Sequence, residues 1–156
     1  MRLAVIAIGR RGPRWQQEAL ADYLKRFPPE IRIDMKGIAP ARRGANTPAA
    51  AVRSAEADKL RAAVPDGSLR IALDEHGRER STQELARQLE GWRREGRDVA
   101  FLIGGADGLD AALLKEVDSI WSLSKLTLQH GMAKLVLVEQ LYRAWTILSG
   151  HPYHRE

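Results

Sequence analysis

The residues best suited to chemistry fall in four short stretches. The first is Gly104–Gly105–Ala106–Asp107–Gly108, directly after the apolar run Val99–Ile103. Glycines at the end of a buried strand let backbone amides approach a ligand and tolerate positive φ. The same spacing also makes a plain tight turn. It is not the dinucleotide fingerprint, and the lysine of a phosphate loop is missing. The second stretch, Leu123–Ser124–Lys125–Leu126–Thr127–Leu128, reads either as an irregular segment or as a last edge strand. The third is the pair Glu139 and Arg143, four apart on a helical pattern, which is the spacing of an ordinary i,i+4 ion pair. The fourth is the end of the chain, where His151, Tyr153, His154 and Arg155 crowd donors, acceptors and a ring together. Terminal residues usually fray, yet these groups are the kinds that grip RNA bases and phosphates.

Other chemistries are poorly served. The chain has no cysteine, which removes disulfides, thiolate metal sites and cysteine nucleophiles together. Methylation at carbon-5 of a pyrimidine, which uses a thiol adduct, is disfavoured with them. Three of the 4 histidines lie near the C-terminus, but Pro152 interrupts helical spacing and no acidic ligand accompanies them. No metal site is expected. The formal charge of +5 suits a polyanionic partner without requiring one. Apolar runs are strand-sized, and the N-terminal run is too short for a signal-peptide core. The chain reads as cytoplasmic.

The elements around these residues alternate between strand and helix. Leu3–Ile8, Ile31–Met35, Leu69–Leu73, Val99–Ile103 and a piece near Ile120 have strand patterns. A helix in which the apolar residues Trp15, Ala19, Leu20, Tyr23, Leu24 and Phe27 recur at helical spacing follows Pro13 and is stopped by Pro28–Pro29, and another spans Ala49–Ala63. Ser81 with Glu84 predicts a capping box for a third, closed by Gly96. A short helix follows Asp110, and a last one covers Met132–Leu148 with Leu135, Val138, Leu141, Tyr142 and Trp145 inward. The 156 residues suit one domain. Alternating strands and helices predict an α/β fold with a mainly parallel sheet and helices on both faces. Ligands of such sheets bind beyond the carboxyl ends of strands, here the loops after Leu73 and Ile103.

Taken together, these motifs resemble a known family. Leu73–Asp74, Leu102–Ile103–Gly104–Gly105 with Gly108–Leu109, Ser122–Leu128, His130, Glu139–Ala144 and His151–Glu156 look like the RlmH type of SPOUT methyltransferase. That family methylates N3 of a pseudouridine in large-subunit ribosomal RNA. The resemblance runs from Leu3 to Glu156. Gln129 stands where proline is common, and Lys134 where arginine is usual. The resemblance implies a homodimer with a C-terminal trefoil knot whose loops hold S-adenosyl-L-methionine. Leu73, Gly104, Leu123, Ser124, Lys125, Leu126, Thr127 and Leu128 would then bind the cofactor, with Gly104 leaving room for it. Arg155 or Arg143 would stabilise the anionic base, His154 or Glu139 would accept its proton, and Tyr153 would position it. The substrate implied is helix 69 of 23S ribosomal RNA in assembled 70S ribosomes. A nucleotide-dependent enzyme of doubly wound fold and a non-catalytic ribosome-binding protein are the rival readings.

Overall fold

The computed structural model describes residues 1–155; Glu156, the last residue of the tail, lies outside them. Five strands form one parallel sheet: β1 (Arg2–Ile8), β2 (Arg32–Ile38), β3 (Leu69–Glu79), β4 (Val99–Ile103) and β5 (Ser119–Ser122), in the order β2-β1-β4-β3-β5. All the strands point one way, so the loops after β1, β3, β4 and β5 share one edge. The helices are α1 (Arg14–Leu24), α2 (Ala49–Ala63), α3 (Thr82–Glu95), α4 (Ala111–Glu116) and α5 (His130–Ser149). A 3-10 turn, Pro152–Arg155, follows α5.

Side-chain alternation along β1 divides the core. Leu3, Val5 and Ala7 join Leu85, Leu89, Trp92, Leu137 and Leu141, contributed by α3 and α5, on one face. Ala4, Ile6 and Ile8 join Ala57, Leu60, Leu109 and Leu113 on the other, under α2 and α4. A strand covered on both faces needs no polar face, which is why Val99–Ile103 is apolar throughout and buried throughout.

Local signals fix several element ends. Ser81 Oγ accepts from Glu84 N at 3.1 Å while Glu84 Oε2 accepts from Ser81 N at 2.7 Å. Gly96 (φ 64°) and Gly150 (φ 74°) close α3 and α5 in the left-handed region. Asp110 caps α4 through Leu113 N at 3.1 Å.

Three expectations need correction. β3 does not end at Leu73 but continues to Glu79, with a register shift against β5 between Leu73 and Arg78. Gly77 permits this, since a Cβ there would lie 2.8 Å from the backbone of Ile120. Trp15 does not face inward but is 56% exposed. The buried position at the start of α1 is Gln16, and Tyr23, seven residues on, shares its side of the helix. On α5, Leu137 is buried where Leu135 is only half-buried. Segment 123–128 is irregular and does not form an edge strand.

Candidate functional site

The loops at the carboxyl ends of β3, β4 and β5 enclose a cleft of about 920 Å³, a size suited to a small-molecule ligand. Its walls combine Leu73 with Ile103–Gly108 and with Leu123, Ser124, Leu126, Thr127 and Leu128. Lys125 does not line it; its ammonium lies 3.9 Å from Glu79. The apolar side chains offer a surface for a flat ring, and the turn backbone offers polar groups beside it.

Each wall is built from its own sequence. Gly108 N donates to Gly105 O at 3.0 Å, and Gly108 takes φ 78°, so the β4–α4 loop closes tightly. Gly104 is needed for this closure: a Cβ would stand 2.7 Å from the carbonyl carbon of Gly108. Its missing side chain therefore makes room first for the loop itself, which amends the expectation that the space serves the ligand directly. Across the cleft, Ser124 Oγ accepts from Leu126 N at 2.9 Å, and Ser122 Oγ donates to Ser124 O at 2.8 Å. Thr127 Oγ1 donates to Glu75 Oε2 at 2.7 Å and fastens this loop to β3. Leu126 is left 75% exposed on this wall.

Gln129 and His130 close the end of the cleft nearest α5. Gln129 Oε1 accepts from Met132 N at 3.0 Å and caps the helix. It also accepts from Gln16 Nε2 at 3.3 Å, satisfying an amide that is otherwise buried. This gives the glutamine at that position a structural role. Lys134, the other departure, is half-buried on α5, and burial pulls its ammonium below the usual lysine range.

The second group of residues sits elsewhere. Glu139 lies nine residues beyond His130, about 14 Å along the helix axis. Glu139 Oε1 accepts from Arg143 Nη2 at 2.7 Å, Arg143 Nε at 2.9 Å and the Tyr153 hydroxyl at 3.0 Å. Its Oε2 accepts from Gln140 Nε2 at 2.7 Å. The tail is thus docked rather than frayed. The Tyr153 ring lies 4.7 Å from that of Tyr142, under the Arg143 guanidinium at 4.9 Å. With its own proton committed to Glu139, the Tyr153 hydroxyl accepts from Tyr23 at 2.9 Å. Burial, the Tyr23 contact and the Glu139 carboxylate together hold this phenol well above its ordinary pKa. His154 Nδ1 is buried with no hydrogen-bond partner among the described residues, and Arg155 is exposed.

The family described as "Predicted SPOUT methyltransferase" matches residues 1–154. The chain belongs to the SPOUT methyltransferases. Ribosomal RNA large subunit methyltransferase H of Polynucleobacter asymbioticus is 54% identical over 156 residues, 100% of both chains. The proteins of the same name from Ralstonia nicotianae and Bordetella petrii are 50% and 51% identical over 155 residues, 99% of each chain.

In this SPOUT methyltransferase the eight residues expected around a cofactor are brought together, apart from Lys125. His154, Arg155, Tyr153, Glu139 and Arg143 also gather, but around the far half of α5. The two groups do not meet within one protomer. The cleft has further walls that were not singled out for ligand contact. Arg53 reaches it from α2, and Glu75 and His76 from the extended part of β3. The tetrad Asp74–Gly77 after a buried strand was a visible signal for the latter two. Nothing local marks an arginine on α2. Arg43 pairs with Asp107, tying the β2–α2 loop to the same wall. Among the described residues, no cluster of acids and histidines could hold a metal, and no helix is long and apolar enough to cross a membrane.

Proposed function

We propose that the chain transfers a methyl group from S-adenosyl-L-methionine to 23S ribosomal RNA, at N3 of the pseudouridine at position 1915 in helix 69. It acts on assembled 70S ribosomes in the cytoplasm, as a homodimer of single domains spanning residues 1–156 with a C-terminal trefoil knot. The observation that carries this reading is full-length identity of about half with relatives named for large-subunit ribosomal RNA methylation. The cleft supports the cofactor. It has the volume, leucine walls from Leu73, Leu123, Leu126 and Leu128, and a glycine turn that brings backbone close.

When bound, the cofactor supplies an electrophilic methyl, so the protein's own task is alignment and proton removal. The N3 proton is weakly acidic, and a cation near the base oxygens favours its loss. Arg155 fits that role, because it is exposed at the end of the tail. Glu139 does not fit that of proton acceptor, because both of its oxygens already take donors. Glu139 and Arg143 instead hold the tail in place. His154 is the remaining acceptor, with a ring nitrogen that no other described residue satisfies. Tyr153 keeps its proton and acts by position. A two-fold dimer placing one protomer's tail over its partner's cleft reunites the two groups.

The test is transfer of radiolabelled methyl to ribosomes, followed by mapping of the modified nucleoside. N3-methylpseudouridine in helix 69 is expected. Label at another nucleoside, or no transfer, overturns the reading.

A further inference from the structure

Away from the cleft and the tail, Trp15 is the large side chain that burial leaves unexplained. It occupies the first turn of α1 and is 56% exposed, whereas Trp92 and Trp121 are buried and Trp145 is half-buried. Its surroundings are basic. Arg10 and Arg11 precede it in the β1–α1 loop, and both are exposed. The neighbouring acid, Glu18, is paired with Arg14 at 2.7 Å. Gly9 N donates to Ile38 O at 2.9 Å, which joins this loop to the end of β2, ahead of the exposed Arg42.

Two contacts place this patch beside the cleft. His130 packs against Gly9 so closely that a Cβ there would be 2.6 Å from Nε2. Gln16, next to Trp15, donates to Gln129. Gln129 and His130 both line the cleft, so the β1–α1 loop and the first turn of α1, which carries Trp15, adjoin it.

We propose that Trp15, preceded by Arg10 and Arg11, is a stacking platform that holds an unpaired nucleotide of the RNA beside the cleft mouth. The inference rests on the RNA substrate proposed above. An exposed ring beside exposed arginines matches the chemistry of a looped strand. The base stacks on the aromatic face, and the guanidinium groups neutralise its phosphates. A second copy of this chain would meet like charge at the same patch.

The experiment compares the full-length protein with Trp15→Ala and Trp15→Phe. KM for ribosomes, cofactor affinity, dimer mass and quenching of tryptophan fluorescence by a single-stranded oligoribonucleotide are measured for each. Trp15→Ala is expected to raise KM roughly tenfold or more, with kcat, cofactor affinity and mass unchanged. Trp15→Phe keeps an aromatic face and should recover most of the loss. The oligoribonucleotide should quench the parent and not the Phe variant. An unchanged KM in Trp15→Ala overturns the proposal, and so does a change in dimer mass, which would assign the ring to a protein contact. If the parent transfers no methyl to ribosomes yet its Trp15 is quenched by RNA, the methylation reading fails and the platform stands. Absence of both overturns both.

Discussion

The Tyr153 hydroxyl donates to Glu139 Oε1 at 3.0 Å, joining the end of the chain to the middle of α5. The same oxygen takes two bonds from Arg143, so one carboxylate holds both the tail's tyrosine and the arginine that covers its ring. Removal of the tail is therefore expected to have a structural consequence, whatever its effect on activity. Tyr153→Phe keeps the ring on Tyr142 and loses only the hydroxyl. It is expected to cost about 1 kcal/mol of stability, the usual worth of such a bond, read by denaturant unfolding.

The same hydroxyl sets a pH dependence. An acid whose folded pKa is raised binds its proton more tightly when folded. The stability it contributes is complete below the ordinary phenol value of 10.0 and fades as pH climbs through the raised one. In an alkaline absorbance titration, Tyr153 should give a phase above the ordinary phenol value, and that phase should vanish in Tyr153→Phe. Persistence of the phase in the variant would show the assignment to be wrong.

Gly104→Ala tests the glycine turn. The added methyl meets the carbonyl of Gly108 and has nowhere to go without opening the loop. A stability loss of about 1–3 kcal/mol is expected, as for overpacking elsewhere, together with weaker cofactor binding by calorimetry. Leu126→Ser separates the two effects. Leu126 is exposed, so the change should leave melting nearly untouched while lowering cofactor affinity several-fold. A Leu126→Ser protein that binds the cofactor like the parent removes this leucine from the binding wall.

What could be read from the residues alone follows from how local each cause is. The capping box at Ser81 and Glu84 lies within one turn, and the alternation of β1 within one strand, so both are written where they act. The path of β3 beyond Leu73 depends on Gly77 meeting Ile120, four elements further along the chain. No periodicity in either segment reports that. Trp15 fits a helical stripe as well as Gln16 does, and the choice between them is made by Gln129, more than a hundred residues on. The motifs of the cleft were visible because their glycines and serines are unusual in their setting. Arg53 was not, because an arginine on a helix is ordinary. The docking of Tyr153 was likewise hidden, since its partners are spread over α1 and α5.

The separation of cleft and tail leads to the last prediction. Within one protomer the tail docks at the middle of α5, about 14 Å along the axis from the end that closes the cleft, yet methyl transfer requires acceptor and donor in contact. In a two-fold dimer each site would take its cleft from one chain and its tail from the other. A chain truncated before Tyr153 would then keep a sound cleft, and a Leu126→Ser, Gly104→Ala chain would keep a sound tail. Each is expected to be nearly inactive alone. Unfolded together in equal amounts and refolded, half of the dimers would be mixed, and each of those would hold one complete site of two. Activity should recover to about a quarter of the parent's, as random pairing under two-fold symmetry requires. Native mass spectrometry of the mixture would confirm that mixed dimers form. Mixed dimers with no recovered methyl transfer would show that each site is completed within its own chain, and the tail would then have to swing toward its own cleft.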